Sequence, residues 1–334
     1  MRGEHDLISI IIPTKNEREN ITKLIESIYA QIYRPIEVIV VDGGSTDGTL
    51  ELIQEAIKRY SSNDFRIVLL KEEDFGPIRS PANARNIGIM NSRGKYIAFF
   101  DADMILLDRD LLEEAVKALK VYPWVGVKAI PIIDTLIEEA LIAEAFLWGK
   151  GEYVHRYCCF QRSLFNERLF DPYLGFGEDQ DFFEYYLRKK RNITPIIIDK
   201  YIGRHEPHTV KELLKQSVWY ASTLPLFAKK HMTTWQLIRF ITHTNTPAVS
   251  GTFTLAIAFI LAHYGYIGIM MALTIITLHI VRRILKVYTK LPKLNSSKIK
   301  VFMVLNMVEY ILRPLGYLYG LLKYVIIKKH SSRY

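Results

Sequence analysis

The stretch Ile36-Glu37-Val38-Ile39-Val40-Val41-Asp42-Gly43-Gly44-Ser45 runs from a mostly β-branched apolar block into a polar turn with paired glycines. A short apolar run bounded by turn residues reads as a strand buried on both faces. The same design recurs on either side. Leu7–Ile12 reads as a strand that ends in Pro13-Thr14-Lys15-Asn16-Glu17, and Tyr96–Phe100 as one that ends in Asp101-Ala102-Asp103. Phe65–Leu70 supplies a further strand. Between them, Ile21, Leu24, Ile25 and Ile28, then Leu50, Ile53 and Ile57, recur at helical spacing, and Ala82–Asn91 reads as a helix. Strands alternating with helices predict an α/β domain with a doubly wound, mostly parallel central sheet.

Three polar clusters therefore sit at three strand ends. In open α/β sheets, ligands bind outside the carboxyl ends of the strands, so the clusters are expected to share one crevice. Capping of the following helix is the alternative for each aspartate, and for Asp42 the two readings stay level. Asp101 and Asp103 are harder to explain as caps, because one cap needs one side chain. Carboxylates at i and i+2 repel unless a cation joins them, and carboxylate, water and diphosphate oxygens are the ligands Mg²⁺ or Mn²⁺ prefers. The chain has no G-x-x-x-x-G-K-[ST] loop, and Gly43-Gly44 lacks the G-x-G-x-x-G spacing of a dinucleotide site.

The ordered set of motifs resembles the family-2 inverting glycosyltransferases of GT-A fold, over roughly residues 7–210. Ser9–Glu17 is similar to that family's first strand and nucleotide loop, and Val41–Thr49 to its second-strand motif. Ala82–Gly88 is similar to its donor-side helix, Phe100–Asp103 to the D-x-D motif, and Phe176–Asp181, preceded by Phe160–Phe165, to the motif carrying the catalytic base. The resemblance implies that Pro13, Thr14, Asn16 and Glu17 hold the base and ribose of a nucleotide-sugar donor, with Asp42 on the base. It places Asp101 and Ala102 against the ribose or donor sugar, Asp103 on a divalent cation, and Arg85 near the leaving diphosphate. Asp179 becomes the proton acceptor and Glu178 an acceptor-side residue. A helix start, where acidic residues favour the dipole, is the alternative for Glu178 and Asp179. His205 is a candidate second metal or diphosphate contact, level with a structural role; Pro207 keeps His205-Glu206-Pro207-His208 from being a helical H-E-x-x-H site.

The rest of the chain departs from a plain soluble enzyme. Val210–Ile241 interleaves Leu213, Leu214, Trp219, Phe227 and Trp235 with Lys211, Lys215, Lys229 and Lys230, a composition suited to helices lying in a membrane interface. Surface helices packed on the domain are the alternative. Gln216-Ser217-Val218-Trp219 has the Gln and Trp of the Q-x-x-R-W motif of cellulose-synthase-like members, one residue short and without the Arg. Gln216 and Trp219 are acceptor-binding candidates on that basis, and the missing Arg disfavours processive synthesis.

From Phe240 to Val281 there is no Lys, Arg, Asp or Glu in 42 residues. One helix of that length would run roughly 63 Å, about twice the hydrocarbon core of a bilayer. A break at His263-Tyr264-Gly265 splits the run into spans near 247–262 and 266–281, and a third candidate covers 301–327. A buried hairpin in a soluble core is the alternative. Arg282, Arg283, Lys286, Lys290, Lys293, Lys298 and Lys300 follow the second span, and positive-inside places them, and the N-terminal domain, in the cytoplasm. Leu7–Pro13 is too short for a signal peptide.

Composition agrees. The 334 residues are 24% charged and 49% hydrophobic, which excludes a disordered chain. The two cysteines, Cys158 and Cys159, are adjacent, so a disulfide framework and a cysteine zinc site are excluded, and both read as reduced packing residues. The net charge of +9 gathers largely around the apolar segments, which argues against nucleic acid as the partner.

The expected organisation is a GT-A catalytic domain at 1–208, amphipathic interface helices at 209–245 and a transmembrane helical domain at 246–334. The expected activity is a multi-pass cell-membrane glycosyltransferase with a cytoplasmic site. It would move a hexose, with GDP-mannose favoured over UDP-hexoses, to a polyisoprenyl-linked acceptor. The alternatives are a processive polysaccharide synthase and a catalytically silent scaffold or nucleotide-sugar binder. The apolar spans would allow a homodimer, but no feature specifies one.

Overall fold

The computed structural model of the protein describes residues 6–139, 153–175, 177–205 and 209–233, with Gln236, Gly265, Ile267, Met270, Met271, Thr274 and Tyr319 as single positions. In chain order the elements are β1 (Ile8–Thr14), α1 (Ile21–Tyr29), β2 (Ile36–Asp42), α2 (Thr49–Tyr60), β3 (Phe65–Lys71), α3 (Pro81–Asn91), β4 (Tyr96–Phe99), β5 (Met104–Leu106), α4 (Leu111–Leu119), β6 (Trp124–Ile132), β7 (Tyr153–Gln161), α5 (Gln180–Lys190), β8 (Ile196–His205) and α6 (Val210–His231). The chain divides into two compact units, Met1–Ile132 with Glu152–His205, and Ile133–Gly151 with Glu206–Tyr334. The stretch after β6 thus groups with the C-terminal part, a division the sequence boundaries at 208 and 245 do not contain.

The first unit is an α/β sheet domain. Its eight strands run in the order β3-β2-β1-β4-β7-β6-β8-β5. The β3-β2-β1-β4 half is parallel throughout, as the alternating pattern predicts. The other half is mixed: β7 runs antiparallel to β4 and β6, β6 is parallel to β8, and β8 antiparallel to β5.

Every residue of β2 is buried, so the strand reads as a nearly continuous apolar run, broken only by Glu37 before Asp42, and its alternate side chains serve opposite faces. Val38 and Val40 join Ile10, Ile12 and the apolar residues of α1 and α4 in one core, whereas Ile39 and Val41 pack with Ala84 and Ile87 of α3 on the other. Gly88 lets α3 lie down on β1: a Cβ there would stand 2.4 Å from Ile11 Cγ2. An aromatic core of Phe99, Phe160, Phe165, Phe170, Phe182 and Phe183 seats α5 against β4 and β7. The 11 residues of α5 are wound as a π-helix, a form that concentrates at functional sites. Cys158 and Cys159 are free thiols buried in this sheet.

In the second unit, Thr135 and Glu138 form a capping box ahead of a helical turn. Glu138 N–H donates to Thr135 Oγ1 at 3.2 Å, and Thr135 N–H to Glu138 Oε2 at 2.9 Å. Helix α6 starts at the cap Thr209, whose hydroxyl accepts from Glu212 N–H, and it carries Gln216 and Trp219, both half-buried. Among the described residues, no helix is long and apolar enough to cross a membrane. The spans expected at 247–262, 266–281 and 301–327 lie outside the described residues, apart from isolated positions. One of these, Gly265, has φ +76°, in the left-handed region that favours glycine.

Candidate active site

The loops after β1 and β2 are stitched together by side chains. Asp42 is buried, and its carboxylate accepts from Gly44 N–H at 2.8 Å and Ser45 N–H at 3.0 Å, with the Ser45 hydroxyl also bonded to it. Gly44 takes φ +90° to make that turn. Ser45 Oγ accepts from Asn16 N–H at 2.8 Å, and Asn16 Oδ1 accepts from Thr46 N–H at 2.8 Å. The Thr14 carbonyl accepts from Gly43 N–H at 2.8 Å, and Glu17 N–H donates to Thr49 Oγ1 at 2.9 Å. Pro13, Thr14, Asn16, Glu17 and Asp42 therefore form one continuous rim at the carboxyl ends of two neighbouring strands. Asp42 does not cap α2, whose cap residue is Gly48.

Glu72 closes the same rim from the end of β3. It is buried, accepts from Asn83 Nδ2 at 2.9 Å and Ser80 N–H at 3.3 Å, and its other oxygen faces Gly43. Nothing in the local sequence distinguishes Glu72 from its exposed neighbours Glu73 and Asp74.

The second cluster lies at the end of β4. Arg85, on α3, donates from Nη2 to Asp101 Oδ1 at 2.9 Å and from Nη1 to Glu178 Oε1 at 2.8 Å. A protein cation thus answers the charge of Asp101, where the i, i+2 spacing alone suggested a shared metal. Burial, which by itself would raise the Asp101 pKa, is outweighed by Arg85, then Arg204 and His155, so this carboxyl lies below its ordinary range. Arg85 is held above its own ordinary value because Asp101 and Glu178 outweigh its burial. Glu178 is raised to about 7, by burial first and Asp179 next, against the pull of Arg85. Asp179 is also raised, chiefly by burial, with the nearby Asp101 charge adding and Arg85 and the Gln180 amide opposing. Asp179 stands at the start of α5, where its Oδ1 accepts from Gln180 N–H at 2.7 Å. The helix-start and proton-acceptor readings occupy one residue without conflict.

The segment that delivers Glu178 and Asp179 is bolted to α3. Buried Asn86 donates to the Phe170 carbonyl at 2.9 Å and accepts from Phe170 N–H at 3.0 Å, while the Ser80 hydroxyl donates to the Pro172 carbonyl at 2.8 Å. Asp181, fully buried, pairs with Arg168.

Asp103 lies in the turn between β4 and β5. Neither it nor Asp101 caps α4, which begins at Leu111. Its carbonyl accepts from His205 N–H at 3.2 Å, and its Oδ2 is 3.9 Å from Arg204 Nε. Asp103 and His205 therefore occupy neighbouring strand positions, one offering carboxylate oxygen and the other imidazole nitrogen. Among the described residues no group of three His, Cys, Asp or Glu side chains is arranged to hold a metal. The donor set suits a cation that takes most of its shell from a bound diphosphate and water. Ala102 is buried in the main core, so only its backbone can face a ligand. Gln216 and Trp219 belong to the second unit, on α6.

His155, on β7, is a site residue that no sequence motif singles out. Its ring hydrogen-bonds the backbone of Phe99, and Nε2 is buried with no hydrogen-bond partner. Burial pushes its pKa down to about 4; Arg204 and Arg85 push the same way and Asp101 resists.

Residues 9–136 match the family model described as Glycosyl transferase family 2. Glycosyltransferase GlyA of Streptococcus pneumoniae is 34% identical over 117 residues, 35% of this chain and 16% of that protein. This chain therefore matches about a sixth of that relative's length. Glycosyltransferase GlyG of the same organism is 25% identical over 254 residues, 67% of this chain and 79% of that one. Among solved structures, the mannosyltransferase PcManGT from Pyrobaculum calidifontis in complex with GDP-Man and Mn²⁺ has a TM-score of 0.50 at 16% identity, covering 97% of this chain and 86% of that one. That likeness concerns the fold alone. The resemblance to glycosyl transferase family 2 therefore lies in residues 9–136, on an α/β fold like that of the mannosyltransferase structure.

Proposed function

We propose that the chain is a membrane-bound, inverting glycosyltransferase that moves a hexose from a nucleotide sugar to a polyisoprenyl-phosphate- or diphosphate-linked acceptor. Its site would face the cytoplasm, and the apolar segments after residue 240 would hold it at the cell membrane. The observation that carries the reading is the gathering of Asp101, Glu178 and Asp179 around Arg85 at the strand ends of a domain that resembles family 2. A nucleotide binder without activity would have no use for a second acidic group with a raised pKa beside the donor loops.

In this mechanism the rim from Pro13 to Glu17, with Asp42, holds base and ribose. Asp101 and the Ala102 backbone receive the ribose or donor sugar. Asp103 and His205 would hold Mg²⁺ or Mn²⁺, which supplies neutralisation of the charge on the leaving diphosphate. Arg85 keeps Asp101 and Glu178 in place, and Glu178 lines the acceptor side beside Asp179. Asp179 takes the proton of the acceptor hydroxyl as its oxygen attacks the anomeric carbon and the nucleoside diphosphate departs with the bonding electrons. Burial makes Asp179 a stronger base than an exposed aspartate, which suits that role. A single displacement inverts the carbon, so an α-linked donor yields a β-glycoside. Gln216 and Trp219 would meet the acceptor from the interface helix.

The test is transfer of labelled sugar from a donor panel to membrane lipid extract. GDP-mannose with Mn²⁺ heads the panel, and UDP-hexoses follow. One labelled sugar on lipid is expected. Labelled polymer would instead indicate a processive synthase, and no transfer from any donor would leave only a binding protein.

A further inference from the structure

The buried face of His155 points to a job the donor loops do not cover. β6 and β7 pair with a register shift: Val125 lies opposite Cys159, whereas Val127 lies opposite His155. Two residues on β6 thus answer four on β7, an irregularity of the kind that re-aims a side chain beside an active site. The shift brings the ring to the end of β4, where it bonds the Phe99 backbone, two residues before Asp101. A neutral imidazole that donates one N–H to a carbonyl carries a lone pair on its other nitrogen. That nitrogen is Nε2, buried and unpartnered. Buried polar atoms in folded proteins are almost always satisfied, so an orphan of this kind calls for a ligand.

The surroundings select the ligand. A lone pair rejects phosphate oxygen and needs a hydrogen-bond donor. Of the charged groups that bear most on the ring, Arg204 and Arg85 stand against Asp101, so a cation is disfavoured there. On a nucleotide sugar the remaining donors are the base N–H groups and the ribose and sugar hydroxyls. The base loops lie at the ends of β1 and β2, whereas β7 lies beyond β4 in the sheet, on the side of Asp101 and the acidic pair. We infer that His155 Nε2 accepts a hydrogen bond from a hydroxyl of the transferred hexose and so helps to select which sugar the site takes. This inference rests on the proposed nucleotide-sugar activity and deepens it.

The experiment measures binding of GDP, UDP, GDP-mannose and UDP-glucose, each with Mn²⁺, to the full chain and to two variants. His155→Asn retains a group near Nδ1 for the Phe99 bond and lacks the distal acceptor. His155→Gln returns an oxygen to the region of Nε2. The expected result is that His155→Asn binds the preferred nucleotide sugar about fivefold to tenfold more weakly, the scale of one uncharged hydrogen bond. Its affinity for the matching nucleoside diphosphate stays unchanged, which also reports an intact fold, and His155→Gln recovers most of the loss. Equal affinities in wild type and both variants, a parallel loss for nucleotide sugar and nucleoside diphosphate, or a loss of Mn²⁺ binding without nucleotide would each overturn the assignment. A wild-type chain that binds no nucleotide sugar would instead overturn the proposed activity on which it rests.

Discussion

The Arg85 guanidinium reaches Glu178 Oε1 at 2.8 Å across 93 positions of sequence, with Glu178 buried and Arg85 largely so. Its other arm holds Asp101. A single cation therefore sets the spacing between the D-x-D turn and the acidic pair at the start of α5. Arg85→Lys keeps the charge but not the two-armed fork. Arg85→Leu strands both carboxylates, and loss of one partner of a buried pair costs about 3–5 kcal/mol. The lower end applies here, because the Asp101 side chain keeps 39% of its exposure. Thermal unfolding of the two variants checks the cost. Sugar transfer by Arg85→Lys is expected to fall well beyond its loss of stability.

Glu178 gives the fold a pH signature. Its folded pKa of about 7 stands above its ordinary 4.5, so the native state binds this proton more tightly than the unfolded chain. That contribution is complete below about pH 4.5 and is lost as pH rises through about 7. His155 acts in the opposite sense: its folded value of about 4 lies below its ordinary 6.5, so its contribution is complete above about 6.5 and is lost as pH falls through about 4. The two offset each other in wild type. Glu178→Gln removes one side of the balance, on the order of 1–3 kcal/mol. Melting temperatures at pH 5 and pH 8 should show the variant gaining on wild type at the higher pH. Parallel curves for the two proteins would exclude a raised Glu178.

Asp179→Asn keeps the shape of the site and removes the proposed proton acceptor. Transfer is expected to drop by about 10²–10⁴-fold, the usual contribution of a positioned base. Cation-dependent donor binding should persist. Full transfer by this variant would take Asp179 out of the chemistry.

Asp103→Ala is expected to weaken donor binding in the presence of Mg²⁺ or Mn²⁺ and to leave binding in chelator unaltered. The comparison of the two titrations is the measurement. An unchanged affinity with the cation would show that Asp103 does not hold it.

Gly88→Ala tests the packing that positions the site. A Cβ would come within 2.4 Å of Ile11 on β1, and both neighbours are buried. Overpacking of this kind costs about 1–3 kcal/mol. Because α3 also carries Arg85 and Asn86, donor affinity should fall together with the melting temperature.

The amino-acid order by itself determined the parallel half of the sheet and the polar ends of its strands. β1, β2 and β4 are buried on both faces, and β3 keeps an apolar run although part of it is exposed, so these runs and the turns that end them are written in consecutive residues. Asp42, Asp101 and Asp103 are legible for the same reason, as polar breaks where apolar runs end, whereas Asp179 stands out through the motif it resembles. β5 has only three residues, β8 is largely half-buried, and β6 and β7 pair around a bulge, so none of these strands has a continuous signature. Folding alone decided how the charges are shared. Arg85 reaches across to Asp101 and Glu178, Glu72 turns inward while Glu73 and Asp74 face water, and His155 is delivered to the end of β4 by a register shift. A carboxylate's partner depends on which strand ends meet in space, and local periodicity does not encode that meeting.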